Sequence, residues 1–383
     1  MSTKQERIEM FRDAIAFRTP ERIPMFANNS TWHLIDDGIS FNEALHDWNI
    51  MFRSCCNYIE RYGFDCYKSP GGRNPMRVTD AMDATEYIIT DTGMNAEDRI
   101  TIAPGDYDEF LQDPKKYIWE KAFPARVKAC NTPEAWEKIK NAAIELMAFQ
   151  EYNERMAKAM YDAYEVPKEA RYAAPSRSGF NQILSHYRGI KQASLDLRRN
   201  YKQLKEHIAM LEEGSLETIE KFCQIDEPNP NAAFDFSSGM NEQSVLNRKQ
   251  FEDLLWPFYG KYFELLAKYN KTTTFTVQAE MLRFADFFQD VKKGTMAMGH
   301  ETDNAYDIRE KLPNICIMGG MTLEYLSKKT PQECVDYGKQ LIDDLGRDGG
   351  FIMSTDRILT YKNDCKRENQ LALNEFVRNY KLR

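Results

Sequence analysis

The chain has 383 residues, 42% of them hydrophobic and 29% charged, and a formal net charge of −8 at pH 7. These values are typical of a globular protein, and the basic residues form no cluster of the kind that binds a phosphate backbone. No apolar run approaches the roughly 20 residues of a membrane span, so we expect no nucleic-acid partner and no membrane insertion. The first residues, MSTKQERIEMFRDAIAF, indicate a charged amphipathic helix rather than a signal sequence, which predicts a cytoplasmic protein.

Eight short β-rich runs alternate with segments of helical periodicity along the chain. This alternation is typical of βα units around a parallel sheet, and several of the runs are almost continuously apolar, as strands covered on both faces are. We therefore predict an α/β fold, a (β/α)8 TIM barrel that forms a single domain over residues 1–383. The predicted strands are 22–27, 63–69, 171–176, 232–238, 272–280, 294–301, 314–320 and 350–356.

The segment of about 71–165 interrupts the alternation as an insertion. Its first part, 71–105, contains TEYIITDTG and predicts a β-hairpin after strand 2. Thr132-Pro133-Glu134 predicts the start of an added long helix, 133–162, that could cover the barrel mouth. An apolar stripe marks this helix, formed by Trp136, Ile139, Ala143, Leu146 and Met147. Near the other end of the chain, Thr330-Pro331-Gln332-Glu333 predicts a capped helix start.

The carboxyl ends of barrel strands face the pocket and nominate the site. Glu280, Glu301 and Asp356 follow three different strands and could gather around one metal ion or one proton. For Glu301 and Asp356 a helix-capping role is the alternative, and Asp303 suits such a role better than Glu301. Polar candidates at other strand ends are Asn28, Asn29, Trp32, His33, Ser176, Arg177, Ser237 and Gln278.

His300 is a candidate ligand or general acid, and facing the helices is its alternative. Strand alternation should point it and Glu301 to opposite faces. The eight cysteines form no CxxC pair, so we expect reduced, mostly buried thiols. Cys316 is interpreted as a core-packing residue, and the functional alternative is a metal-binding thiolate. His46 and His207 are predicted on helix surfaces.

Three segments resemble the uroporphyrinogen decarboxylase superfamily, and the match spans nearly the whole chain. They are RIEMFRDAIAFRTPERIPM at the start, NICIMGGM with the LSKKTPQECVDYGKQLIDDLGRDGGFIMSTD that follows it, and ENQLALNEFV at the end. The decarboxylases themselves carry an arginine-rich RQAGRYLPEY segment after strand 1, whereas this chain has ANNSTWHLIDDG there. Without guanidinium groups to hold a polycarboxylate, uroporphyrinogen is rejected as the substrate.

The second branch of this superfamily contains the corrinoid-dependent methyltransferases. Members that act on thiols have a zinc-binding HxC motif on strand 5 and a cysteine on strand 8. In this chain the positions that look like the counterparts of these motifs are Gln278-Ala279-Glu280 and Asp356. Oxygen-containing side chains therefore replace the sulfur ligands. The segments RNPMRV, DEFLQDPKKYIWEKAFPAR, SHYRG, RKQFEDLLWPF and ETD are similar to methyltransferases that O-demethylate methoxylated aromatics.

The resemblance implies methyl transfer from a methoxylated aromatic, or a similar small donor, to the cobalt of a cobalamin on a separate corrinoid protein. Leu184 stands where a corrinoid-carrying DxHxxG motif has its aspartate, so cobalamin is expected to arrive on that partner. Glu280 and Asp356 stand where the resemblance places the family's ligands, and the strand ends add the rest: the predicted catalytic residues are Glu280, His300, Glu301 and Asp356, and the candidate zinc ligands are Glu280, Glu301, Cys316 and Asp356. The aromatic side chains available to line the substrate pocket are Trp32, Tyr172, Phe180 and Phe236.

Two other functions remain open at this point. A decarboxylase or other lyase acting on a small non-porphyrin acid would need a cation, and Arg177 or Arg73 could supply it. The other is a ligand-binding barrel without chemistry, because the HxC motif is absent. The methyl donor and the oligomeric state, with a homodimer as one candidate, are not specified by the sequence.

Overall fold

The computed structural model describes residues 2–67, 76–84, 87–90, 93–96, 101–172, 177–225 and 231–382. Each of the eight predicted strand segments overlaps a strand. β1 is much shorter than predicted, β2 begins three residues later and β5 begins three residues earlier, and the predicted strand residues 68–69 and 173–176 lie outside the described residues. The strands of the described residues are β1 (Phe26–Ala27), β2 (Cys66–Tyr67), β3 (Tyr87–Thr90), β4 (Gly93–Ala96), β5 (Lys168–Tyr172), β6 (Ala232–Met240), β7 (Thr273–Val277), β8 (Met296–His300), β9 (Cys316–Met321) and β10 (Phe351–Thr355).

Eight of these strands form one parallel sheet in the order β1-β2-β5-β6-β7-β8-β9-β10. Bridges between Met25 and Met353 and between Asn29 and Leu359 join its two edges, which nearly closes the barrel. The prediction of a (β/α)8 TIM barrel is confirmed. The predicted hairpin is present as well, because β3 and β4 pair antiparallel.

Helices separate the strands and surround the sheet. In the described residues they are α1 (Lys4–Ile15), α2 (Trp32–Asp36), α3 (Phe41–His46), α4 (Trp48–Tyr62), α5 (Met76–Ala81), α6 (Tyr107–Gln112), α7 (Pro114–Tyr117), α8 (Phe123–Arg126), α9 (Ala135–Tyr164), α10 (Gly179–Gln182), α11 (Gly189–Arg199), α12 (Tyr201–Cys223), α13 (Arg248–Leu254), α14 (Trp256–Lys268), α15 (Ala285–Phe288), α16 (Ala305–Lys311), α17 (Leu323–Lys328), α18 (Pro331–Leu345) and α19 (Arg367–Asn379). No helix of this described part is long and apolar enough to cross a membrane.

The α1 helix closes the amino-terminal end of the barrel. Phe11, Ala14 and Ile15 pack in one cluster with residues from six strands, among them Cys316 and Ile352. The backbone N–H of Gly350, just before β10, donates to the carbonyl of Ala14 at 2.7 Å. This plug leaves the carboxyl ends of the strands as the end where side chains can form a site.

The long helix α9 runs along the outside of the barrel rather than over its mouth. It packs on α4 and α5, and its last turn reaches α1, where Lys4 pairs with Asp162 at 3.2 Å. Its buried residues include Ala142, Phe149 and Tyr152. Part of the predicted apolar stripe therefore faces solvent: Trp136 and Met147 are 76% and 70% exposed.

The two predicted helix starts have different outcomes. Thr330 accepts from the Glu333 backbone, and the Glu333 side chain accepts from the Thr330 backbone, which confirms the cap of α18. The prediction for Thr132 was wrong: α9 begins at Ala135, and the Thr132 hydroxyl donates to the carbonyl of Ala129 instead. A threonine caps only if the following N–H groups turn toward it, and here a preceding turn occupies the hydroxyl.

Candidate active site at the barrel mouth

The loop after β7 carries Gln278, Ala279 and Glu280 in a strained conformation. Ala279 has φ 62°, a left-handed value that costs a residue with a side chain about 1–2 kcal/mol. Two contacts stabilise it: the Gln243 amide donates to the carbonyl of Gln278, and an Asp303 carboxylate oxygen accepts from the Met281 N–H at 2.8 Å. The side chains of Gln278 and Glu280 are exposed at the mouth. Strain of this kind at a strand end is a feature of functional sites.

Asp303 holds this loop and does not cap the helix that follows it. The prediction of a capping role was wrong, because Asn304 is the residue whose side chain caps α16, by accepting from Tyr306 N–H. Burial raises the pKa of Asp303, and the nearby charge of Glu280 raises it further. The sequence DNAYDI contains two adjacent capping residues, and only the fold shows which of them begins the helix.

His300 faces the helices and not the barrel axis. Its Nδ1 lies 2.7 Å from the carbonyl oxygen of Asp303, and burial lowers its pKa to about 4, so the ring is neutral near pH 7 with its proton on Nδ1. Its Nε2 is buried without a hydrogen-bond partner among the described residues, and it packs close to Gly319, where a Cβ would lie 2.9 Å away. His300 therefore anchors the turn that carries Asp303.

Glu301 follows on the opposite face, toward the barrel interior. Ala297 of the same strand packs in the cluster inside the barrel that α1 closes. Because side chains alternate along a strand, Gly299 and Glu301 also face the barrel interior. Glu301 is half-buried, and its pKa is raised by burial and by the charge of Asp356, while Arg357 opposes the shift. Glu301 thus shares one electrostatic environment with residues that follow β10, two strands away.

Asp356 lies near Glu301 at the mouth, and its carboxylate also accepts hydrogen bonds from two backbone N–H groups. Its Oδ1 accepts from the N–H groups of Leu323, at 3.1 Å, and of Arg357, at 2.6 Å. The first contact gives the first N–H of α17 an acceptor, although Thr322 is the N-cap of that helix. α17 follows β9, so Asp356 does not cap the helix after its own strand, as the capping alternative supposed. Burial nevertheless raises the pKa of Asp356.

Cys316 lies apart from these carboxylates. It is the first residue of β9, inside the cluster sealed by α1, and β9 pairs Met318 with Gly299. At about 3.3 Å per residue, Cys316 lies about 13 Å along β9 from the residue level with Glu301. Burial raises the pKa of its thiol to about 12, which disfavours the thiolate that binds metals.

The described residues do not fit a zinc ion. No group of three or more His, Cys, Asp and Glu side chains among them is arranged to hold a metal. Of the proposed ligands, Asp356 already accepts two backbone N–H groups through one oxygen, and Cys316 is remote.

The residues after β1 divide between the mouth and the core. Asn28 donates to the carbonyl of Thr355 at 3.3 Å, and the buried Asn29 donates to the Tyr67 hydroxyl at 3.4 Å. Trp32 and His33 belong to α2 and are buried against α4. The His33 Nδ1 lies 2.9 Å from the Ser54 hydroxyl, and burial lowers the pKa of the ring to about 4.

The predicted aromatic pocket residues lie largely in the hydrophobic core. Phe180 and Phe236 are fully buried, and Tyr172 is half-buried and stacks on Phe222 with ring centres 4.3 Å apart. They come from strand and helix positions that face the surrounding helices. Of the polar candidates, Arg177 is exposed, and Ser176 lies outside the described residues.

Two buried glutamates at the barrel strands were missed from sequence. Glu242 follows β6 and accepts from Ser178 at 2.6 Å, Asn181 at 3.1 Å and Tyr259 at 3.1 Å. The fourth predicted strand, which corresponds to β6, stopped at residue 238; with the two further residues that the structure shows, Glu242 would have followed the strand end. Glu169 is buried in β5 and accepts from Ser237 at 3.0 Å and from Thr274 at 2.7 Å. Strand 3 was predicted to begin at 171, which placed Glu169 outside it.

The prediction of His207 on a helix surface was also wrong. It is fully buried against Tyr107, Phe110 and Tyr187. Helical periodicity does not show that the segment beginning at residue 101 packs over this face of α12. His46 is half-buried, and its Nε2 lies 2.8 Å from Asp80.

The chain is similar in structure to a methyltransferase from Methanosarcina mazei. The TM-score is 0.61 at 12% sequence identity, and the alignment covers 99% of this chain and 99% of that chain. At this identity the similarity shows the fold alone. No protein-family model matches the sequence, and no curated protein matches it.

Proposed function

We propose that this protein is a methyltransferase that moves a methyl group from a methoxylated aromatic compound, or a similar small donor, to the cobalt of a corrinoid on a separate protein. The resemblance of several sequence segments to corrinoid-dependent O-demethylating methyltransferases supports this activity. The barrel that this chain shares with the methyltransferase from Methanosarcina mazei is compatible with it. The observation that carries the proposal is Glu301, a half-buried carboxyl group at the mouth with a raised pKa.

A raised pKa suits the difficult step of this reaction. An aryl methyl ether releases a phenolate whose conjugate acid has a pKa near 10, so the leaving oxygen needs a proton. The carbon–oxygen bond breaks with its electron pair going to oxygen, and the reduced corrinoid supplies the pair that forms the new bond to the methyl carbon. Protonated Glu301 gives its proton to the oxygen, and the phenol leaves.

The other candidate residues support this transfer. Arg357, whose charge acts on Glu301, stabilises the carboxylate that remains after proton transfer. Asp356 contributes to the raised pKa, and Glu280 extends from the strained loop at the same end of the barrel. His300 positions Asp303 and through it this loop. No step is assigned to zinc.

The test is an anaerobic assay of the full-length protein with guaiacol and free reduced cobalamin. We expect catechol by chromatography and the visible spectrum of methylcobalamin. Release of carbon dioxide from a small carboxylic acid without any corrinoid would instead favour a lyase. Absence of methyl transfer from ethers, quaternary amines and thioethers would favour the binding barrel.

Glu301→Gln tests the assigned acid. We expect the rate of methyl transfer from guaiacol to fall by about 10²–10⁴-fold, the usual contribution of general acid catalysis, and Glu301→Asp to retain part of it. The wild-type rate should fall as the pH rises through the raised pKa of Glu301, because only the protonated group donates. Glu310→Gln, an exposed glutamate on α16, is the control that should leave the rate unchanged.

A further inference from the structure

The first half of α9 exposes an apolar face to solvent. Trp136, Met147 and Ile144 are 76%, 70% and 55% exposed, and Ala143 and Ala148 are exposed beside them. A contiguous apolar patch on a soluble protein commonly marks a surface that binds another molecule. The helix is already anchored through its opposite side, so these side chains are not needed to hold it on the barrel.

Charged residues continue the same face in a regular order. Lys140 lies one turn after Trp136, Glu151 lies one turn after Met147, and Arg155 lies one turn further. Lys140 and Glu151 form no ion pair with any residue that the structure describes. Arg155 is exposed, with its guanidinium carbon 5.8 Å from the centre of the Tyr152 ring. We call this line of side chains the α9 ridge; it consists of Trp136, Lys140, Ile144, Met147, Glu151 and Arg155. Along the ridge the side chains are therefore apolar, basic, apolar, apolar, acidic and basic.

We propose that this ridge binds the same ridge of a second copy of the chain, with the two α9 helices antiparallel. In the register that sets Lys140 against Glu151 of the second copy, Ile144 meets Met147 at the centre. The same register brings Trp136 against Arg155, a cation–π contact. Because a two-fold interface repeats every contact, one register forms two ion pairs and two cation–π contacts around an apolar centre.

A second copy fits this surface because the ridge is self-complementary. An isologous interface requires that residue i contact residue j while j contacts i. The positions 136 and 155, 140 and 151, and 144 and 147 are symmetric about one point of the helix and carry matching chemistry in each pair. A partner of unrelated sequence would place no such symmetry requirement on α9.

Sedimentation equilibrium of the full-length protein tests the proposal. We expect a concentration-dependent species of twice the mass of one chain. Lys140→Glu should raise the dissociation constant about tenfold or more, because it replaces two attractive contacts with two repulsive ones. Trp136→Ala should raise it by a similar factor through lost apolar and cation–π contact.

The double variant Lys140→Glu/Glu151→Lys is the decisive one, since it restores both ion pairs in reversed order and should return the dissociation constant to near the wild-type value. The control is Lys202→Glu, the same charge change on α12 at a side chain that is 86% exposed. A wild-type protein that stays monomeric at its highest soluble concentration would overturn the proposal. A dimer that resists the single charge reversals, or that the double variant does not restore, would overturn it as well.

Discussion

The two halves of the barrel are held together in different ways. Among the residues that the structure describes, neighbouring strands from β6 to β10 share three to five aligned residue pairs, whereas β1 and β2 share two and β2 meets β5 at one. In the half formed by β1, β2 and β5, side chains add to the described ladders: Arg22 donates twice to Asp65, at 2.7 and 2.6 Å. Asp65 also accepts from the Met25 N–H at 2.8 Å. A half that depends on few polar contacts should be the more sensitive to losing one of them.

The largest expected effect is therefore at Asp65. Asp65→Asn leaves Arg22, whose side chain is 11% exposed, without its charge partner, and breaking a buried pair on one side costs about 3–5 kcal/mol of unfolding free energy. Urea denaturation followed by circular dichroism measures it. The matched control is Asp286→Asn in the other half, where the pair with the exposed Arg248 should contribute little. Equal losses at both sites would contradict the difference between the halves.

Acid should weaken both halves through histidines that fold in the neutral form. Burial lowers the pKa of His33 in one half and of His300 in the other to about 4, whereas the unfolded value is near 6.5. The unfolded chain therefore binds more protons between these values, and stability present above pH 6.5 is lost as the pH falls toward 4. Protonation of each ring lowers the free energy of unfolding by up to about 3 kcal/mol over this pH range.

Unfolding free energies of His33→Gln and His300→Gln between pH 7 and pH 4.5 test this. Each variant should show a flatter pH dependence than the wild-type protein. His46→Gln, at a half-buried ring, is the control. A dependence that stays as steep in both variants would assign the acid sensitivity to other groups.

The smallest effect compares two identical caps, one on the helix that plugs the barrel and one on a helix of the second half. Thr3 at α1 and Thr330 at α18 both form a capping box with a glutamate three residues later. Replacing either threonine with alanine should cost about 0.5–2 kcal/mol, because one helix N–H loses its acceptor. Equal losses in urea would show that the α1 plug unfolds together with the second half. If only Thr330→Ala lowers the global free energy of unfolding, and Thr3→Ala changes only local hydrogen exchange, the α1 plug opens separately.

Local patterns predicted the second half of the barrel better than the first. The predicted runs 314–320 and 350–356 differ from β9 and β10 by one or two residues at either end, because both strands are apolar throughout and flanked by clear helix signals. The run 22–27 became a two-residue strand, since the Arg22 side chain pairs with Asp65 and Pro24 has no N–H to donate to a ladder. For the site, the strand ends indicated Glu280, Glu301 and Asp356, while Glu242 was missed through a strand end placed two residues early.

The sequence by itself determined the number and order of the βα units, the hairpin insertion and the long helix, because these depend on periodicities of a few neighbouring residues. Only the tertiary structure decided that His300 faces the helices while Glu301 faces the interior, that Asp303 holds the β7 loop, and that the apolar stripe of α9 faces solvent. The reason is physical: each of these outcomes depends on contacts between residues far apart in the chain. Both faces of a strand or helix are equally available until those contacts form.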